Sequence, residues 1–196
     1  MKKIYFLLLI IFLTACASKY SFEGGFKLLE KADEKYGASY KAEQINGTLA
    51  DFYKINDYIE YLEDYKKDLK EAKQTNDTDA LITFVNARIS MLESQRYFQL
   101  GRSIGSAGFV VDTFTCNEIS QIEETTIYWN KSFHYGLNAT STLDDLLIKY
   151  PQYRPLVGID NKKAAFYASP LGYLVREVRR NKDSVKLFCN VDIRGT

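Results

Sequence analysis

The whole chain contains a single histidine, His134, and a good deal of chemistry is missing with it. A metal centre would have to recruit carboxylates around that ring, yet neither H-E-x-x-H nor E-x-x-H occurs. No G-x-S-x-G elbow marks a hydrolase nucleophile. Gly101, Gly105 and Gly108 of GRSIGSAG lack both the Lys-Ser/Thr ending and the strand-before-helix setting of a phosphate loop. The carboxylate pairs Glu123-Glu124 and Asp144-Asp145 are sequence neighbours, so on a helix they diverge by about 100° instead of converging. No metal, cofactor or catalytic residue is expected, and the balance leans away from an enzyme. Charge of one sign is lacking too: 26 Lys and Arg stand against 25 Asp and Glu, so no nucleic acid or other polyanion partner is implied. Long apolar runs are scarce. Residues 4–13 form one, and about ten residues is half of the roughly twenty that a spanning helix needs.

What is present begins at that run. Lys2 and Lys3 precede it, and it closes on Leu13-Thr14-Ala15-Cys16. A charged start, a short apolar stretch and small residues follow the order of an export signal, and LTAC resembles the lipobox of exported lipoproteins. The resemblance implies cleavage before Cys16 and lipidation of its thiol with diacylglycerol, palmitate being a typical acyl chain. One acyl chain holds a protein to a bilayer only reversibly, whereas two hold it well. Residues 1–15 are thus expected to be a signal peptide, and 16–24 a lipidated Cys with a short tether. The location is extracytoplasmic, at the cell surface or a periplasmic face, with the membrane as partner through the lipid. Loss of Lys2 and Lys3 makes the exported part about neutral.

If Cys16 carries lipid, Cys116 and Cys189 are the two thiols left in an oxidising compartment. A disulfide between them would close a loop of roughly 70 residues, contributing about 4 kcal/mol on the loop-entropy model. The competing reading is two separate buried thiols, since free Cys packs as a small hydrophobe.

Periodicity predicts an all-α fold: an antiparallel bundle built on a long helical hairpin, with a less regular C-terminal half. Phe22, Phe26, Leu29, Ala32 and Tyr36 share a stripe on a helix running toward Gln44, interrupted at Gly37. Thr48 reads as an N-cap with Asp51 in the first turn. Ile55, Tyr58, Leu62, Tyr65, Leu69 and Ala72 then form a heptad-like seam. After QTNDTD, with Thr78 as cap, Leu81, Val85, Ile89 and Leu92 make one seam and Phe84, Met91 and Phe98 a second, which places this helix centrally. GRSIGSAG reads as a break, dividing a hairpin region at 25–104 from a C-terminal helical region at 105–196 packed on it. In the latter, Cys116, Ile119, Ile122, Thr126, Trp129 and Phe133 share a face ending at Gly136. Ser141 or Thr142 caps a shorter helix with Leu143, Leu146, Leu147 and Tyr150, stopped by Pro151. YRPLVGIDNKK reads as irregular, Pro170 suits a first helical turn, and SVKLFCNVDI suits a short strand or an extended tail. Arg176, Arg179, Arg180, Lys182 and Lys186 read as a solvated helix face.

Aromatic residues are abundant, with 15 Tyr and 12 Phe. Most fall on the seams, where a tyrosine buries its ring and keeps its hydroxyl at the rim. A sharper reading is a sugar or peptide platform around YWNKSFHYG, with Tyr128, Tyr135 and His134 as candidate ligand contacts. Four glycosylation sequons, at Asn46, Asn76, Asn130 and Asn138, exceed chance for a chain with about ten Asn. Asn46, Asn76 and Asn138 are expected in loops, and Asn130 at the edge of the Trp129 stripe. The expected role is structural or protein-interacting, with another envelope protein as partner. A ligand-binding or hydrolytic surface lipoprotein with an interhelical groove is the second class.

Overall fold

Helical patterning dominates the computed structural model, which describes residues 19–36, 49–104 and 119–158 together with Gly172, Arg176, Leu187 and Cys189. In chain order these residues form α1 (Phe22–Tyr36), α2 (Leu49–Glu71), α3 (Asn76–Ile104) and α4 (Ile119–Lys149). A 3-10 turn (Pro151–Tyr153) and a helical stretch at 154–158 follow. No strand occurs among the described residues, and the fold is the expected all-α bundle on an α2/α3 hairpin. The expected N-cap Thr48 lies outside the described residues.

The hairpin turn is short because α3 is tightly capped. Thr75 is the N-cap, and the backbone N–H of Thr78 donates to its Oγ1 at 3.2 Å. In return the Thr75 backbone N–H donates to Thr78 Oγ1 at 2.7 Å. This is a capping box with Thr in the place of the usual Glu. The expectation of Thr78 as cap is corrected by one turn: it sits inside the helix and is 1% exposed. At the other side of the turn, Gln74 Nε2 donates to the carbonyls of Leu69, Lys70 and Ala72 at 3.1 to 3.2 Å. The last carbonyls of α2 are thereby satisfied.

Helix α3 lies at the centre, packed against α1, α2 and, most extensively, α4. Its two apolar faces explain this: Leu81, Phe84, Val85, Met91 and Leu92 are all buried. The α2 seam of Tyr58, Leu62, Tyr65 and Leu69 faces it as the spacing predicts, and Phe22, Phe26, Leu29 and Ala32 of α1 complete one core. Each fully buried Leu or Phe there contributes roughly 1.5–3 kcal/mol.

Helix α1 is held by more than its stripe. A Cβ on Gly25 would lie 2.5 Å from Leu81 Cδ2 and 2.6 Å from Tyr65 Oη, so glycine permits the close approach to the hairpin. Near its C-terminus, Arg88 Nη1 donates to both carboxylate oxygens of Asp33 at 2.5 and 2.6 Å. Tyr58 Oη donates to the same carboxylate at 2.5 Å, and the guanidinium lies over the Phe84 ring. Arg88 is 2% exposed. Burial of that charge is tolerable only because a carboxylate meets it there.

The α3/α4 contact is built differently. Buried positions along it include Ser90, Ser94 and Gly101 on α3, and Thr125, Ser132 and Ala139 on α4. Ser94 Oγ donates to the Ser132 carbonyl at 2.8 Å, and Ser132 Oγ to the Ser94 carbonyl at 2.5 Å. Such reciprocal side-chain to backbone bonds require closely approaching helices. At Gly101 an added Cβ would fall 2.5 Å from Cδ1 and Nε1 of Trp129, so the indole occupies the space a side chain would need.

This seam overrides two expected breaks, both within α4. Helix α3 runs through Gly101 to Ile104, and α4 runs unbroken for 31 residues through Gly136, Ser141 and Thr142. Gly136 costs about 1 kcal/mol against alanine in a helix interior, which packing of the whole length on α3 offsets. Helix α4 does end before Pro151: Tyr150 takes φ −132° and ψ 67°, outside the helical region, as a residue before proline must. The stretch at 154–158, expected to be irregular, is helical, with Pro155 tolerated in its first turn. Gly172 and Arg176 are helical, as the placement of Pro170 suggests. Leu187 and Cys189 are helical as well, which corrects the expected strand or extended tail.

Candidate functional site

Seven residues separate Tyr128 from Tyr135, two turns of α4, so both rings emerge on one side of the helix. Between them stands Tyr97 of α3. Its ring stacks on Tyr135 with centroids 5.5 Å apart and an 11° interplanar angle, and on Tyr128 at 6.1 Å and 23°. Lys131 Nζ lies 5.2 Å and the Arg96 guanidinium carbon 5.0 Å from the Tyr97 centroid. All three tyrosines are half-buried. The structure therefore brings Tyr128 and Tyr135 together around a third ring that the sequence reading assigned no role. His134 is exposed, with its ring 5.9 Å from Phe133, about 100° around the helix from Tyr135.

Beside the rings runs a polar strip. Glu93, Arg96 and Gln99 recur every three residues on α3 and so share a face. Arg96 Nη2 lies 2.6 Å from Glu93 Oε2, with side chains 27% and 14% exposed. Arg96 also donates to Asn56 Oδ1 of α2 at 3.3 Å and to Tyr97 Oη at 3.4 Å. Burial pushes the Glu93 carboxyl above its ordinary value, with Arg96 opposing the shift and Glu63 adding to it. Burial likewise raises the Tyr135 hydroxyl, with lesser contributions from Glu93 and Tyr97. Among the described residues, Arg96 Nε and Gln99 Oε1 are buried without a hydrogen-bond partner, and Glu93 Oε2 has its ion pair but no aligned donor. A signal for this strip was visible in E-x-x-R-Y-x-Q, yet the same letters describe a solvated helix face.

Chemically, the arrangement is a stacked aromatic rim sealed by an ion pair. The rings spend their faces on one another and on two cations, which leaves edges and hydroxyls for an external ligand. Nothing in it pairs a nucleophile with a base, and the described residues contain no group of three His, Cys, Asp or Glu suited to a metal.

The remaining candidates are dispersed. Cys16, Asn46 and Cys116 lie outside the described residues. Cys189 is disulfide-bonded. Asn76 opens α3 and is exposed. Asn138 lies within α4 rather than in a loop, and its Nδ2 donates to Ser90 Oγ at 2.9 Å. Asn130 is half-buried on α4, and the hydroxyl of its sequon residue Ser132 is committed to α3.

At the opposite end of the bundle a second polar cluster joins four chain segments. Asp77 Oδ2 accepts the Phe22 backbone N–H at 3.0 Å, and its other oxygen accepts Tyr153 Oη. The Tyr153 and Phe22 rings stack with centroids 3.9 Å apart. Asp79 Oδ2 accepts from Tyr150 Oη at 3.2 Å and from Lys149 at 3.3 Å. Upstream of α1, Tyr65 Oη donates to the Lys19 carbonyl at 3.0 Å, and Lys19 Nζ meets Asp68 at 2.7 Å. None of the described helices is long and apolar enough to cross a membrane. No family model, curated protein or solved structure matches the chain.

Proposed function

We propose that this chain is an exported lipoprotein, held to a membrane by lipid on Cys16, whose helical bundle has a structural or protein-interaction role at the envelope surface. The observation that carries the reading is the tie at Lys19. Three residues after the lipobox cysteine the chain is already bonded to α2 through Tyr65 and Asp68. A signal with a cleavable end, followed at once by a docked segment, is the layout of a surface-anchored domain. The Cys189 disulfide suits an oxidising compartment, with Cys116 as the partner left once Cys16 is lipidated. The mutual stacking of Tyr97, Tyr128 and Tyr135 weighs against a sugar or peptide platform. Of the sequons with described Asn, the exposed Asn76 is the one best suited to a glycan, since the Asn138 amide is engaged by Ser90.

Membrane fractionation with intact mass tests the anchor. The native chain should sediment with membranes and carry acyl mass on an N-terminal Cys16, while Cys16→Ala should appear in the soluble extracytoplasmic fraction. A Cys16→Ala chain that stays with the membrane sinks the reading. Crosslinking of the lipidated protein in its own membrane then tests the interaction role through recovery of a reproducible protein partner.

A further inference from the structure

The tie at Lys19 also constrains which way the bundle faces. An extended chain spans at most about 3.6 Å per residue, so Cys16 lies within roughly 11 Å of Lys19. Lys19 is bonded to the last turns of α2 through Tyr65 and Asp68. The start of α3 and the end of α4 share that end of the bundle, as the Phe22–Asp77, Phe22–Tyr153 and Lys149–Asp79 contacts establish. Helix α3, with 29 residues, is about 44 Å long. The lipid therefore reaches one end of the molecule and not the other.

The charges of that end are mixed, and part of its negative charge is neutralised within the bundle. Three of its carboxylates are already engaged: Asp68 by Lys19, Asp79 by Lys149 and Tyr150, and Asp77 by the Phe22 N–H and the Tyr153 hydroxyl. Gln74 covers the closing carbonyls of α2, which would otherwise present the negative end of a helix dipole outward. Lys70, Lys73 and Arg154 are exposed there and form no ion pair among the described residues. Glu71 on α2 and Asp144 and Asp145 in the closing turns of α4 are exposed at the same end and set three negative charges against them. Ile148, in the last turn of α4, is 78% exposed, an apolar tip of a kind that costs least at a headgroup boundary.

We propose that the bundle stands on this end, with Lys70, Lys73 and Arg154 against the anionic headgroups of the bilayer that holds the Cys16 lipid, and with the Tyr97 rim pointing away from the membrane. The orientation rests on the lipid-anchor reading. It also predicts which surface is open to another envelope protein: the end bearing α2's start, the Tyr97 rim and the outer face of α4.

Charge near an anionic surface provides the ruler. The surface potential acts over about a Debye length, roughly 8 Å at physiological salt, and suppresses amine reactivity by keeping nearby lysines protonated. The lipidated full chain is reconstituted in phosphatidylcholine vesicles and in vesicles that also contain phosphatidylglycerol, and acetylation of each lysine is timed by mass spectrometry. On adding phosphatidylglycerol, Lys70 and Lys73 should slow about fivefold, the factor for one lysine at an anionic surface. Lys54 and Lys131, exposed toward the opposite end, should keep their rates. Slowing at Lys27 and Lys31 instead would mean that the bundle lies on α1, and overturns the orientation. Unchanged rates at every lysine, with the protein still floating with the vesicles, also overturn it and leave the anchor intact. A protein that floats with neither vesicle overturns both.

Discussion

The two ends of this bundle are closed by different means. Toward the Lys19 end, α1 lies over the hairpin, and Phe22, Phe26, Leu29, Leu62, Leu81, Phe84, Leu143 and Leu146 fill the space with apolar volume. At 15 residues α1 is about 22 Å long, half the length of α3, so it cannot cover the other end. There, α3 and α4 close on each other through Ser94, Ser132, Gly101 and Trp129, with the tyrosine stack and the Glu93–Arg96 pair at the rim. Buried polar atoms without partners among the described residues gather at that second end: Arg96 Nε, Gln99 Oε1 and Trp129 Nε1. Each lost partner costs roughly 1–3 kcal/mol. The difference teaches that helices can be held by volume or by close approach, and that the second route leaves less apolar burial in reserve. The Tyr97 end is accordingly expected to open first on denaturation.

The largest expected effect lies in the apolar end, at the buried Asp33–Arg88 ion pair. Asp33→Ala removes the carboxylate that Arg88 Nη1 and Tyr58 Oη both use, and should cost about 3–5 kcal/mol in urea unfolding. Replacing both charges, as in Asp33→Leu with Arg88→Met, should recover most of that loss, because apolar residues can fill such a site. A double variant as unstable as the single one would show that charge burial is not what Asp33 relieves.

A smaller effect is expected from Gly101→Ala, about 1–3 kcal/mol through overpacking against Trp129. Trp129 is the single tryptophan of the chain, so its emission reports the Tyr97 end alone. In the native chain that emission should shift at lower urea than the helical circular dichroism is lost, and Gly101→Ala should widen the gap. Coincident transitions in both proteins would erase the distinction between the two ends.

The smallest effect is a slope. Burial raises the Glu93 carboxyl, so the folded chain holds that proton more tightly than the unfolded one. Stability should therefore fall as pH rises from the ordinary Glu value of about 4.3 through the raised folded value, then level off. Glu93→Gln should remove that decline, so its urea midpoint relative to the native chain should climb between those pH values. A difference that stays flat with pH would remove burial of Glu93 as a source of strain at the Tyr97 end.

Much of the apolar end was legible beforehand. Tyr58, Leu62, Tyr65 and Leu69 recur at three and four residues, as do Phe22, Phe26 and Leu29, and periodic apolar residues have few alternatives to facing a core. The Tyr97 end was not legible. Glycine and serine usually end a helix or cap one, so Gly136 and Ser141 read as punctuation, whereas a second helix at close range turns such residues into contact surface. Tyr128 and Tyr135 were visible as a pair at two-turn spacing, but their partner Tyr97 is 31 positions upstream of Tyr128, and no local pattern connects them. Asn138 was placed in a loop for the same reason: the expected break at Gly136 moved it out of α4.

By itself the sequence determined the helical class, the hairpin and the buried stripes, because these follow from local spacing and the cost of exposing apolar surface. It also contains the lipobox-like start on which the proposed anchoring rests. Only the tertiary structure decided that α3 and α4 run on through their glycines, that Asp33 answers Arg88 across 55 residues, and that Lys19 is tied to the end of α2. Those outcomes depend on which surfaces meet, and the free energy of a meeting belongs to both partners and cannot be read from either one alone.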